Sequence, residues 1–459
     1  MEVGHGYASP CMDAITGDGM DAAGSWIIVP YRAVLVKPPA NGIRAPRGWQ
    51  PGRPSFDIGC LAHPASVWCG LHMELQSFLL SLIIVYASAR LLGEMADRLG
   101  QPAVLGELLA GVLVGGSLLG WVEATEPLTL LGDIGVMLLL FEIGLESDLQ
   151  SFLRVGKTAA LVATIGVAAP FTLGYLLGLA LHLSHLQAVF IGATLTATSI
   201  AISARTLSEL GWLKTAEGQI ILGAAVIDDI LGLIVLSVVI GLATSGTVSW
   251  LAAGWTAGLA VFLLASAILV GTRYAHRISR LLSLMRARGS LIVAAVTFAL
   301  ALGYLAGLLH IAPLLGAFAA GLVLARTEHQ AHIEEAIKPV ANVFVPIFFV
   351  LVGMAVDLRL LNPMQPENWP VLLLAGGLLV VAVAGKLASG LGVAGVKADR
   401  WMVGIGMLPR GEVGLIFAGT GLSRQIIGEG EYGAILLVVA CTTFLAPVLL
   451  KWRCRHAGG

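Results

Sequence analysis

Charge is scarce in this sequence. Only 12% of its 459 residues are Asp, Glu, Lys or Arg, while 57% are hydrophobic. Soluble domains carry about 25% charged residues, and half that share leaves too little polar surface to cover a water-soluble globule. Neither sign dominates: 27 Lys and Arg stand against 28 Asp and Glu, a net charge of -1. A global electrostatic case for nucleic acid is therefore absent. The five cysteines (Cys11, Cys60, Cys69, Cys441, Cys454) include no CxxC or other metal-ligand spacing. No soluble segment is long enough for a nucleotide-binding domain. That excludes an ATP-driven pump on this chain and leaves ion gradients as the energy source.

What the chain has instead is apolar length. The mean hydropathy is +0.88, and at roughly 20 residues per span there is material for a dozen or so crossings. Thirteen apolar segments lie near 75–97, 103–120, 128–146, 158–181, 186–208, 216–243, 250–271, 289–308, 313–325, 340–356, 370–394, 400–422 and 433–452. Basic residues alternate between the loops: Arg90 and Arg98, Arg154 and Lys157, Arg205 and Lys214, Arg273 to Arg288, Arg326 and Lys338, Lys397 and Arg400, then Lys451, Arg453 and Arg455. The intervening loops hold only Arg359 and Arg424. The excess of basic residues on cytoplasmic loops places the start of the first helix outside and the C-terminus in the cytoplasm. Residues 1–72 differ, with scattered Gly, Pro and polar residues and one short apolar run, Trp26–Val36. They read as a disordered extension or a miscalled start ahead of Met73, leaving 73–455 as the membrane domain.

An odd helix count permits an inverted repeat. Segments two to six and nine to thirteen are offset by seven, which flips one copy in the bilayer. Each copy contains a segment interrupted near its middle, at Thr194–Ser199 in the fifth and at Pro409–Gly414 in the twelfth. Paired interruptions in two halves point to a transport site at the midplane. The fold class is thus an all-α polytopic membrane protein of about 13 transmembrane helices, with inverted repeats and two broken helices crossing.

The sharpest chemical signal is Ala224-Ala225-Val226-Ile227-Asp228-Asp229, two carboxylates in the middle of an apolar helix. One charge at that depth costs about 2.5–3.5 kcal/mol on insertion scales. Neighbours on a helix project about 100° apart, so the two aspartates face different partners: one an ion cavity, the other an adjacent helix. Gly232, one turn beyond, should let another backbone approach. Lys386 on the eleventh segment lies at least eight residues from either end of that segment, further than its side chain can snorkel, and needs a counter-charge. In the twelfth segment Pro409 removes a ladder hydrogen bond beside Arg410 and Glu412, and the freed carbonyls can bind a cation or a side chain. The hydroxyls Thr198 and Ser199 line the other interruption, where back-bonding within an ordinary helix is an equal alternative. Glu107 and Asp133 are weaker signals near helix ends. Glu142 is deep enough to titrate, and Glu146 should reach the interface. His310 reads as interfacial, and Glu328–Glu335 as a solvated loop helix.

These segments together resemble the bacterial monovalent cation:proton antiporter-2 family, in its electrogenic sodium/proton branch with two aspartates. The resemblance runs from about Leu75 to Leu450. It rests on Gly106-Glu107-Leu108-Leu109-Ala110-Gly111, Gly144-Leu145-Glu146, Ala197-Thr198-Ser199, the Asp228-Asp229 segment, Ala312-Pro313-Leu314-Leu315-Gly316, Pro346-Ile347-Phe348-Phe349 and Pro409-Arg410-Gly411-Glu412. It implies core helices at about 158–243 and 370–452 moving against scaffold and dimer helices at about 75–146 and 250–356. It implies that Asp229 binds cation and proton, that Asp228 pairs with Lys386, and that Thr198 and Ser199 flank the site. Sodium would be held by Asp229 and Asp228. Arg410 and Glu412 match the charged pair of the second broken helix. Glu142 stands where the resemblance implies an apolar residue. The chain stops near Gly459, without the nucleotide-sensing domain of the glutathione-gated potassium efflux branch.

The implied activity is not enzymatic and needs no cofactor, with sodium and protons as transported substrates. The expected setting is a multi-pass homodimer in the lipid bilayer of a bacterial inner membrane, with no nucleic-acid partner. A carboxylate in a wet cavity can hold a proton or a cation, and their charges exclude full occupancy by both. Alternating exposure of such a site makes one gradient drive the other. Electroneutral potassium/proton exchange is the nearest rival. A cation channel needs no proton coupling, and an intramembrane aspartyl protease needs aspartates converging from separate helices.

Overall fold

A computed structural model describes residues 64–147, 149–245, 250–283, 290–309, 311–358 and 369–457. Most of 1–72, including Trp26–Val36, lies outside these, as do His310, Arg359 and the stretch around Arg286 and Arg288. Residues Trp68–Gly459 form one compact unit. The described residues contain fifteen α-helices, because two of the thirteen apolar segments are broken. They are α1 Pro64–Arg98, α2 Ala103–Val114, α3 Glu126–Glu146, α4 Leu149–Ala180, α5 His185–Thr194, α6 Ile200–Glu209, α7 Ala216–Ser245 and α8 Trp250–Ser283. The second half follows with α9 Ser290–Leu308, α10 Pro313–Leu324, α11 Gln330–Met354, α12 Trp369–Ala388, α13 Arg400–Gly406, α14 Glu412–Ser423 and α15 Glu429–Ala457. Eight of them are long and apolar enough to cross a bilayer unaided. Large apolar side chains such as Leu80 and Ile83 on α1, Phe262 on α8 and Leu373 on α12 point outward, as lipid-facing surfaces do.

The inverted repeat is visible in the packing. α2 packs on α11 and its counterpart α10 on α3; α4 packs on α7 and its counterpart α12 on α15. Two glycine pairs make the first two contacts possible. A Cβ on Gly111 of α2 would collide with the carbonyl of Val350 and with Gly353 of α11, and one on Gly353 with the Leu108 carbonyl and Gly111. Gly144 of α3 and Gly321 of α10 reproduce this arrangement against Phe318 and Phe141. In lipid, where no hydrophobic force draws helices together, such close approach supplies the dispersion contacts that do.

Several boundaries differ from the sequence reading. α11 begins at Gln330 and runs on through Pro339 and Pro346, so Glu328–Glu335 is no separate loop helix. Its polar turns are held by Lys338, which bonds Glu334 at 2.7 Å and Glu146 of α3 at 3.0 Å. α4 and α8 likewise extend well beyond their apolar cores and take Arg154, Lys157 and Arg273 into helix. Lys386 stands close to the end of α12, not at its middle, because the chain tightens into a 3-10 turn at Ser389–Gly392. That turn presses Gly392 onto Val162 of α4 and Gly390 onto the Arg400 carbonyl.

Substituting Gly321→Val should drive Cβ into the Phe141 carbonyl and cost about 1–3 kcal/mol or more by overpacking. Gly376→Ala, which meets open space on α12, should leave the thermal midpoint in detergent nearly unchanged. Equal midpoints for the two variants would contradict the paired-glycine packing.

Candidate functional site

The two broken helices meet at their breaks. α5 starts from a capping box in which Ser184 and Gln187 satisfy each other's backbone N–H, and it ends where Thr194 turns its hydroxyl back to the Ile191 carbonyl at 2.7 Å. α13 starts from Asp399, whose carboxylate accepts from Trp401 N at 2.9 Å, and ends at Gly406, ahead of Pro409, which has no N–H to extend the ladder. The connecting strands lie against each other: Ser199 N–H donates to the Pro409 carbonyl at 2.8 Å. Gly411 is required there, since a Cβ would strike the Ser199 side chain.

Breaking two helices exposes carbonyls at the ends of α5 and α13, where the helix dipoles concentrate negative partial charge. Side chains answer them. Ser203 donates to the Gly406 carbonyl at 2.7 Å and Thr198 to the Met407 carbonyl at 3.3 Å. The Arg410 guanidinium, with no exposed surface, donates to the carbonyls of Leu195 and Leu408. Thr443 of α15 donates to the carbonyl of Arg410 itself. Lys386 reaches the crossing from α12 and donates to the Thr196 carbonyl.

Lys386 also meets Asp228, with Nζ 3.2 Å from Oδ2 and 3.5 Å from Oδ1. Both side chains have no exposed surface, so the pair is fully desolvated. The Thr198 hydroxyl stands beside the same carboxylate, and the Arg410 charge acts on it. Asp229, next on α7, is 8% exposed against 1% for Asp228, and its charge is felt at Lys386. Gly232 serves a different purpose from the one its sequence position suggests. No atom lies within 4 Å of where its Cβ would be, so it leaves open space on the Asp229 side of α7, not a seat for another backbone.

The structure therefore brings Asp228, Asp229, Lys386, Arg410, Thr198 and Ser199 to one place. Glu412 is the first residue of α14, but its side chain lies outside the described part. Glu142 stands elsewhere: its charged neighbours are Glu146, Arg205, Lys338 and Glu334, none at the crossing. Ser203 and Thr443 were missed. Thr443 had a signal, since Cys441-Thr442-Thr443 interrupts the last apolar segment; Ser203 had none beyond its polarity. Among the described residues no His, Cys, Asp and Glu cluster could hold a metal ion by itself. Chemically, the crossing offers carboxylate oxygens and backbone carbonyls to a cation, with an ammonium already in competition for them.

Residues 80–455 match the family of transmembrane sodium/hydrogen exchangers. The chain belongs to this family. Among curated members it is 40% identical over 415 residues to the high-affinity Na+/H+ antiporter NhaS3 of Synechocystis sp., covering 83% of this chain and 90% of that one. It is 38% identical over 385 residues to the Na+/H+-K+ antiporter GerN of Bacillus cereus, covering 83% and 97%. The sodium proton antiporter MjNhaP1 of Methanocaldococcus jannaschii, solved at pH 8, shares the fold with a TM-score of 0.60 at 20% identity, over 84% of this exchanger and 98% of that chain.

Removing one partner of a buried ion pair typically costs about 3–5 kcal/mol, because the other charge is stranded. Lys386→Met should accordingly lower the thermal midpoint sharply, and adding Asp228→Asn to it should restore most of the loss. A double variant no more stable than Lys386→Met would show that the pair is not coupled.

Proposed function

We propose that this exchanger is a secondary active transporter that exchanges sodium, and lithium with it, for protons by alternating access, and that the exchange is electrogenic. The observation that carries the reading is the desolvated Asp228–Lys386 pair at the crossing of two broken helices, with Asp229 beside it. The names of the relatives, which specify sodium and protons, support it.

Each described group has a role in that reading. Asp229, the more exposed carboxylate, receives either a proton or the cation, and Asp228 is its second ligand. Lys386 occupies Asp228 while the cation is away and competes with it on arrival. The ammonium then faces a cation at close range, and in so dry a site the strain is relieved by giving up its proton. One proton from Lys386 and one from Asp229 leave for each cation, giving two charges out for one in. Arg410 keeps its charge and holds the carbonyl ends of the two broken helices together whatever occupies the site. Thr198 and Ser199, at the start of α6, present oxygens to the same space. In this reading the core (about 158–243 and 370–452) moves against the scaffold (about 75–146 and 250–356), within a homodimer in the bacterial plasma membrane. The C-terminus is cytoplasmic by the basic-loop asymmetry.

Proteoliposomes holding an imposed pH gradient test this. Sodium or lithium should dissipate the gradient, an imposed membrane potential should change the rate, and Asp229→Asn should abolish exchange. Full exchange by Asp229→Asn would refute the site assignment, and voltage-insensitive exchange would remove the two-proton stoichiometry. A response to potassium equal to that for sodium would favour the potassium reading, which the name of GerN keeps in view.

A further inference from the structure

A second polar space lies away from the crossing. A cavity of about 570 Å³ opens where α6 meets α1, α2 and α11, with Arg90, Glu94, Asp97, Glu107, Arg205 and Asn342 on its walls. Its exposed wall residues, Arg90, Glu94 and Asp97, lie on the last turns of α1, toward the α1–α2 turn. At about 30 Å³ per water it has room for well over a dozen molecules, ample for a hydrated ion. α6 joins it to the crossing: Ser199 stands at one end of this half-helix and Arg205 two turns further on, roughly 9 Å away at 1.5 Å per residue.

One carboxylate on the walls has the Arg205 charge beside it but keeps an oxygen without a hydrogen-bond donor. Glu107 of α2 is 7% exposed, and its Oε2 has no hydrogen-bond donor. A buried carboxylate oxygen left unpaired is expensive. Its charged surroundings are Arg90 on α1, and Arg205 and Glu209 on α6. Arg205 is already engaged by Glu209, with Nε 2.7 Å from Oε1, and the other Glu209 oxygen accepts from Val104 N–H of α2 at 3.4 Å. Glu94 is engaged by Arg98 at 3.1 Å. On the cavity walls themselves three carboxylates (Glu94, Asp97, Glu107) stand with two guanidinium groups (Arg90, Arg205), one negative charge in excess, while Lys451 and Arg455 lie off those walls, against Gly100 in the α1–α2 turn. A cavity with such an excess concentrates small cations.

We propose that this cavity is a loading site for the transported alkali-metal cation, with Glu107 as the carboxylate that receives it before it passes to Asp228 and Asp229. The inference rests on the exchange reading above. It places a binding step on scaffold helix α2, outside the crossing, and on one membrane face only. Arg205 is a positioning residue: through Glu209 it holds α6 against the start of α2, so the loading site sits on the seam between the half-helix and the scaffold.

Sodium/proton exchange in proteoliposomes, assayed separately from each face, tests it. Glu107→Gln keeps the shape and removes the charge. It should raise the half-saturating sodium concentration roughly three- to tenfold on the face with the α1–α2 turn, far more than it lowers the maximal rate. The difference should shrink when choline chloride raises the ionic strength, because added salt screens the attraction. Glu107→Asp should retain most of the low half-saturation. Asp97→Asn, on the exposed wall, should give a smaller rise on the same face and keeps the test open if Glu107→Gln fails to fold. An unchanged half-saturation on both faces, or an equal rise on both, would overturn the loading site. So would a fall in maximal rate alone, which marks a structural carboxylate. Wild type and Asp229→Asn run alongside. If wild type exchanges sodium and Glu107→Gln matches it, only this inference fails; if wild type exchanges no alkali cation, the exchange reading fails with it.

Discussion

Four ionisable side chains buried at the crossing constrain the rest of the molecule, and of these Asp229 alone keeps appreciable exposure. Asp228, Asp229, Lys386 and Arg410 sit among mostly apolar side chains, with the hydroxyls of Thr198, Ser203 and Thr443 beside them. None of them is tolerable alone at that depth. Together they satisfy one another and the exposed carbonyls of two interrupted helices. The interruptions are not defects in the bundle. They supply the carbonyls of Leu195, Thr196 and Leu408 that Arg410 and Lys386 require, and the cationic side chains in turn make the interruptions stable. An additional cation entering this set must displace positive charge already there, and the mobile positive charges are protons.

The rest of the fold positions that set. The repeat gives two broken helices of opposite direction, so that two carbonyl ends and two amide ends converge on one crossing. The glycine pairs Gly111–Gly353 and Gly144–Gly321 let helix backbones meet closely in both copies. Polar side chains that bridge helices are placed differently. Arg205 and Glu209 reach from α6 to α2, and their hydrogen bonds can exchange with water in ways that packed glycine backbones cannot.

Much of this was legible in the sequence, for physical reasons. An apolar run of about 20 residues has few fates, so the segments could be counted, and a proline with two charges in mid-span can only be a break. Two buried carboxylates and one buried ammonium have little choice but to pair, so a match between Lys386 and the aspartate pair was legible; that the partner is Asp228 came from the family resemblance. What escaped was whatever depends on where a helix lets go. The carbonyl partners of Lys386 and Arg410 lie just past the ends of α5 and α13, and no side chain announces them. The position of Lys386 near a helix end follows from the 3-10 turn at Ser389–Gly392, which Gly390 and Gly392 permit but do not signal. Charged residues such as Glu334 and Lys338 look like loop until Glu146 of a neighbouring helix is seen to hold them. Gly232 invited a packing role by its spacing, yet only coordinates distinguish a glycine that admits a neighbour from one that leaves room. Glu107 could be noticed as an acid, but its unpaired oxygen and the cavity it faces are tertiary facts.

The central claim is that cation and protons compete for the same carboxylates. It is tested most directly by the half-saturating sodium concentration of the wild-type protein as a function of pH, with equal pH on both faces. Competition predicts that acidification raises this concentration, approaching about tenfold per pH unit for each proton displaced, while saturating sodium restores the same binding capacity. A half-saturation that stays constant across the acidic range would mean that protons and sodium bind at separate places, and would contradict the account.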